Sequence, residues 1–144
     1  VTPADEGPRP RVIRPDEAAE YPFREGCRIL ELVNAPEDPA LSIARARVPP
    51  GGTTRWHRLR DTTERYLLLT GTGRVEVGTE PPAEVGPGAV VVIPAGCRQR
   101  ITNTGRGDLV FLALCTPRFL PANYEDLEDG AAPATPGDAT QPLR

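Results

Sequence analysis

Glycine and proline interrupt this chain so often that a long helix has no room to grow. Turn signals recur at short intervals as APEDPA, PPGG, GTG, GTEPP, GPG, PAG and NTGRGD, and what lies between them is short, apolar or alternating. These runs are Cys27 to Val33, Leu41 to Val48, Trp56 to Arg60, Glu64 to Leu69, Gly73 to Val77, Ala89 to Ile93, Arg98 to Thr102 and Leu109 to Cys115. Many of their residues are β-branched, and none is long enough for a good amphipathic helix. The pattern predicts an all-β chain folded as an antiparallel sandwich or barrel. The one helical candidate is the weak ANYEDLED segment near the C-terminus.

A chain of 144 residues with 38% apolar content buries one ordinary core and not two. Proline, acidic residues and small residues crowd the two ends, which predicts an arm over 1–24, a barrel over 25–120 and a largely disordered tail over 121–144. A net charge of -3 opposes binding to a phosphate backbone, so no nucleic-acid partner is expected. All 17 basic residues are arginine, which removes lysine Schiff-base and P-loop chemistry. Ser42 is the lone serine and has no nucleophile-elbow context. Cys27, Cys97 and Cys115 are odd in number and form no CxxC pair, predicting reduced thiols and a cytoplasmic location. The N-terminus lacks the apolar core of a signal peptide and no run reaches membrane-spanning length, so no membrane partner is expected.

Period-two alternation assigns faces. His57 and Leu59 point one way and Trp56, Arg58 and Arg60 the other; Glu64, Tyr66 and Leu68 oppose Arg65, Leu67 and Leu69; Gln99 and Ile101 oppose Arg98, Arg100 and Thr102. Leu59, Leu68 and Ile101 belong inside, which brings His57, Glu64, Tyr66 and Gln99 inside with them. Polar groups converging in an apolar interior are costly unless they pair or bind something.

These residues resemble the cupin family. Its first motif runs glycine, five residues, His-x-His, three or four residues, glutamate, six residues, glycine; Gly51, His57, Glu64 and Gly71 fall on those positions, with Leu59 at the second histidine. Its second motif runs glycine, five residues, Pro-x-Gly, two residues, histidine, three residues, asparagine; Gly88, Pro94, Gly96 and Asn103 match it, with Gln99 at the histidine. The resemblance covers roughly residues 41–117 and implies a double-stranded β-helix, or jelly-roll, barrel. Gly71, Gly73 and Gly96 are expected at turns needing positive φ.

In that family two histidines and a glutamate from the first motif and a histidine from the second hold a divalent metal. The resemblance therefore implies His57, Glu64 and Gln99 as a reduced ligand set, better suited to Fe, Mn or Ni than to Zn. The alternative is that the three bond to one another and hold no ion.

Other residues carry paired readings. Tyr66 either relays a proton beside Glu64 or is a core tyrosine with a satisfied hydroxyl. Cys115 and Phe111 share a face and would sit deeper in, or at the rim of, a ligand pocket lined by Leu59; as a small hydrophobe, the thiol needs no chemical role. Arg45 and Arg47 share one face of their strand and read a ligand's acid group if that face is inward, or form a solvated stripe if it is not. Leu67 and Leu69 alternate outward, which predicts a homodimer.

The resemblance implies an enzyme acting on a small molecule, by oxygenation, by isomerisation or epimerisation, or by elimination. Glu64 and Tyr66 are the acid–base candidates. A non-catalytic ligand-binding or sensing barrel is the alternative.

Overall fold

The computed structural model describes residues 7–128, so the tail expected over 121–144 lies outside the described residues from 129 onward, as do the first six residues of the arm. Eleven strands form two antiparallel sheets, and the only helical pieces among the described residues are 3-10 turns at Glu17–Ala19 and Pro121–Asn123. The strands are β1 (Tyr21–Phe23), β2 (Cys27–Val33), β3 (Ser42–Val48), β4 (His57–Leu59), β5 (Thr63–Thr70), β6 (Gly73–Val77), β7 (Ala83–Val85), β8 (Val90–Ile93), β9 (Gln99–Asn103), β10 (Leu109–Thr116) and β11 (Tyr124–Asp126). One sheet runs β1-β2-β3-β10-β5-β8 and the other β11-β4-β9-β6-β7.

Each of the eight apolar runs falls on a strand, and alternation decides what each strand buries. In β10, Leu109, Phe111, Ala113 and Cys115 face the core; in β3, Ser42, Ala44, Ala46 and Val48 do. Ile29, Leu68, Ile101 and Leu109 are among the fully buried side chains, each stabilising the fold by about 2 kcal/mol. Small residues on β3 let the Tyr66 and Phe111 rings pack together, with centroids 4.3 Å apart.

Three expectations are corrected. Arg45 and Arg47 lie on the outer face of β3, because the small residues take the inner one. Arg45 there binds Glu17 at 2.8 and 2.7 Å and Glu20 at 2.9 Å. Residues 121–126 do not begin a tail: β11 pairs with β4, matching Tyr124 with Leu59 and Asp126 with His57. Arg55 fixes that strand through a 2.7 Å bond to Asp126. The arm expected over 1–24 ends in β1, which pairs with β2. Gly73 has no positive φ; it opens β6, where a Cβ would stand 2.9 Å from Leu109 Cδ2 and 3.0 Å from the Thr102 carbonyl. Gly71 does need its φ of 85°, and a Cβ there would meet the Asp108 carbonyl at 2.6 Å.

The motif asparagine has a backbone task. Asn103 Nδ2 donates to the carbonyls of Val48 and Gly107 at 2.9 and 2.8 Å, and its Oδ1 accepts from Gly105 N at 2.8 Å. It thereby ties the β9–β10 loop to the end of β3.

Candidate functional site

Strands β4, β5, β9 and β10 carry the inward polar residues. His57 and Gln99 are cross-strand partners between β4 and β9, and Glu64 and Cys115 are partners between β5 and β10. His57, Glu64 and Gln99 are all at most 1% exposed, and Tyr66 is 3% exposed. Burial this deep requires partners, and the structure supplies two separate groups of them.

The first group is a chain. Tyr66 donates its hydroxyl to Gln99 Oε1 at 2.5 Å, Gln99 Nε2 donates to Glu64 Oε1 at 2.9 Å, and the Cys115 thiol approaches Glu64 Oε2 at 3.8 Å. The amide orientation follows from this network: a carboxylate oxygen needs a donor, so the NH₂ faces Glu64 and the carbonyl is left to accept from tyrosine. Gln99 thus relays polarity between a phenol and a carboxyl group.

The second group centres on His57. Its Nδ1 lies 2.6 Å from the Arg55 carbonyl, which can only accept, so Nδ1 carries a hydrogen. Its Nε2 stands 3.1 Å from Glu25 Oε2, and Glu25 Oε1 accepts from the Cys27 thiol at 3.1 Å. The imidazole and the carboxyl group thus face each other inside the core. Tyr124 stacks on the imidazole at 5.3 Å and Phe23 meets Tyr124 edge-on at 5.4 Å, closing the site on that side.

Glu25 was absent from the sequence-derived candidates. It sits in the turn joining β1 to β2, where Gly26 N bonds the Phe23 carbonyl at 3.0 Å, and it belongs to neither motif. No local periodicity announces a turn residue whose side chain enters a core.

This arrangement does not form the ligand set expected from His57, Glu64 and Gln99. His57 Nε2 faces Glu25 at 3.1 Å, the Gln99 carbonyl accepts from Tyr66, and position 59 supplies only a leucine. Among the described residues, no group of three His, Cys, Asp or Glu side chains is placed to hold an ion. The donor set present does not fit the implied metal.

The remaining candidates are placed as follows. Leu59, Phe111 and Cys115 are buried in the same core as the polar chain. Arg45 and Arg47 are on the far side of their sheet and meet none of these groups. Arg98 and Arg100 flank the Trp56 ring from outside, 4.6 and 4.4 Å from its centroid, and Arg58 binds Glu125 at 2.8 Å.

A six-stranded sheet packed on a five-stranded one, all antiparallel, with inward polar residues on the central strands, defines a double-stranded β-helix barrel. The cupin-domain family model matches residues 44–115, and the chain belongs to the cupin family. An uncharacterized protein of Methanocaldococcus jannaschii is 31% identical over 115 residues, spanning 78% of this chain and 89% of the relative. Among solved structures, a predicted oxalate decarboxylase from Thermotoga maritima is 26% identical with a TM-score of 0.63, covering 74% of this chain and 99% of its own. The Streptomyces nucleoside dehydratase Pac13 (14% identity, TM-score 0.65, covering 81% and 92%) and KdgF from Halomonas sp. (17%, 0.66, 76% and 96%) share the fold. No helix among the described residues is long and apolar enough to cross a membrane.

Proposed function

We propose that this cupin processes a small polar molecule by proton transfer, of the elimination or isomerisation type, using its own side chains. The observation that carries the reading is the Tyr66–Gln99–Glu64 chain beside the Glu25–His57 pair. Two buried carboxyl groups stand among neutral donors and an imidazole, the kinds of group that acid–base catalysis uses. Glu64 is the base or acid, Tyr66 the group that polarises or protonates the substrate through its hydroxyl, and Gln99 the residue that orients both.

Entry is assigned to the cleft where the two sheets are not hydrogen-bonded to each other. A cavity of about 260 Å³ lies between the edges β7 and β8, lined by Val75, Ala83, Val85 and Val91 among others. Val91 is the cross-strand partner of Tyr66, so this cleft abuts the strand position that carries the phenol. The fold accommodates elimination chemistry in the nucleoside dehydratase named above, which supports the reaction class without choosing a substrate.

A panel of hydroxy acids, keto sugars and nucleosides, screened by thermal shift and then followed by NMR in D₂O, tests this reading. A stabilising compound should exchange a carbon-bound hydrogen with solvent or lose water, and Glu64→Gln should slow that at least about 100-fold. Absence of any exchange or elimination with every stabilising compound would refute it.

The near-complete burial of His57, Glu64 and Gln99 favours a second reading, a binding or sensing barrel. In that case the same screen yields stabilisation without turnover.

A further inference from the structure

A second cavity, of about 330 Å³, opens away from the cleft just described, between the β1–β2 turn, the end of β3 and the loop before β10. Pro22, Phe23 and Pro49 give it apolar walls, the buried Cys27 lines it, and Arg28, Arg47 and Asp108 supply its charged groups. Its volume falls at the small end of the range for ligand sites, and mostly apolar walls with few convergent polar groups are what such sites have in common.

The two guanidinium groups differ from their neighbour Arg45, whose terminal nitrogens are both taken by Glu17 and Glu20 at 2.7 to 2.9 Å. Arg28 uses only Nε, which bonds Glu20 at 3.0 Å. Arg47 makes two long bonds, Nε to Glu20 at 3.3 Å and Nη1 to Asp108 at 3.2 Å. Charge-assisted bonds of this kind settle at about 2.7–2.9 Å when geometry is free. Both terminal nitrogens of Arg28 and Nη2 of Arg47 therefore bond nothing among the described residues, although both residues line an apolar cavity.

We infer that this cavity is a binding site for a small amphipathic carboxylate, its acid group held by Arg28 and Arg47 and its hydrocarbon body lying on Pro22, Phe23 and Pro49. Occupancy reaches the core by a short path. Cys27, which lines the cavity, donates to Glu25 Oε1 at 3.1 Å, and Glu25 Oε2 faces His57 Nε2 at 3.1 Å.

Titration of the full chain with acetate, butyrate, hexanoate, hexanol and inorganic phosphate tests the assignment, with calorimetry for affinity and ¹⁵N amide shifts for location. Affinity should rise from acetate to hexanoate, with hexanol and phosphate each at least about tenfold weaker than hexanoate. Amide shifts should centre on Gly26 and Cys27. Arg28→Gln and Arg47→Gln alter partly exposed side chains and should fold normally; each should weaken hexanoate about tenfold. Equal binding of hexanol, equal binding of phosphate, shifts centred on Glu64 and Gln99, unchanged affinity in both variants, or no saturable binding of hexanoate would each overturn the proposal.

Discussion

His57 Nε2 stands 3.1 Å from Glu25 Oε2 with neither side chain more than 5% exposed. The motif histidine of this barrel is thus engaged by a carboxyl group from the first hairpin turn. Removing one member of a buried pair leaves the other uncompensated, which is far costlier than removing both. Glu25→Ala should lower unfolding free energy by about 3 kcal/mol in urea titrations, whereas Glu25→Leu combined with His57→Phe should recover at least half of that loss. Additive losses in the double variant would contradict the pairing.

Gln99 bridges Tyr66 and Glu64, so its loss strands two buried groups and the loss of the phenol strands one. Gln99→Leu should destabilise by about 3 kcal/mol and Tyr66→Phe by about 1 kcal/mol, measured by chemical denaturation. If Tyr66→Phe proves the worse of the two, the bridge is assigned wrongly.

Leu59 and Gln99 occupy the two motif positions that have lost histidine. With His57 held by Glu25, wild-type melting should move little with Fe(II), Mn(II), Ni(II) or Zn(II). The variant Leu59→His/Gln99→His places two imidazoles beside Glu64. It forfeits about 2 kcal/mol of leucine burial and regains about 4 kcal/mol from a metal supplied a thousandfold above its dissociation constant. Its melting temperature should fall without metal and rise with Ni(II) or Zn(II). An equal response in both proteins would show that Leu59 does not face the polar chain.

Burial by itself pushes the Glu20 carboxyl up, but bonds from Arg45, Arg28 and Arg47 outweigh it and hold the group below its usual value of 4.5. At Asp126 burial is likewise outweighed, by Arg55 and the Glu128 amide, leaving the group below 3.8. Folded values lower than unfolded ones mean that the unfolded chain takes up protons first as pH drops. Stability should therefore be flat above about pH 5 and fall as pH passes below 4.5 and then through the lowered folded values. Arg55→Gln should flatten part of that fall; an unchanged acid limb would remove Asp126 as a contributor.

The outer face of the six-stranded sheet carries Leu69, Val90 and Val92 at 40%, 59% and 58% exposure, with Val90 opposite Leu67. We propose that a second copy covers it. Light scattering at tens of micromolar should give a dimer mass, and Val90→Asp with Val92→Asp should give a monomer. A monomer from the unaltered chain would refute the dimer.

What was readable in the sequence was set by local regularity. Alternation in β5, β9 and β10 placed Glu64, Tyr66, Gln99 and Phe111 on the buried side, because a pleat has no other way to separate neighbours. The missed strands β1, β7 and β11 are three residues each. They hold too little alternation to detect, and β11 carries Glu125 and Asp126, which read as solvent-facing until arginines are brought opposite them. Two parities for Arg45 and Arg47 are open in the sequence because alanine and arginine both fit a strand; packing of Ala44, Ala46 and Val48 into the core, with Glu17 and Glu20 waiting outside, chooses between them. Glu25 depends on where a hairpin turn lands, which no window of neighbouring residues encodes.

The strand that holds His57 is short, and its partners lie far apart in the sequence. β4 is three residues long, its imidazole is capped by Tyr124 and paired with Glu25, and β11 closes its outer edge. During synthesis, the histidine and its carboxyl partner emerge well before Tyr124 does. A nascent chain can therefore hold most of the barrel's strands while its site is still unfinished, until the segment carrying Tyr124 emerges and completes it.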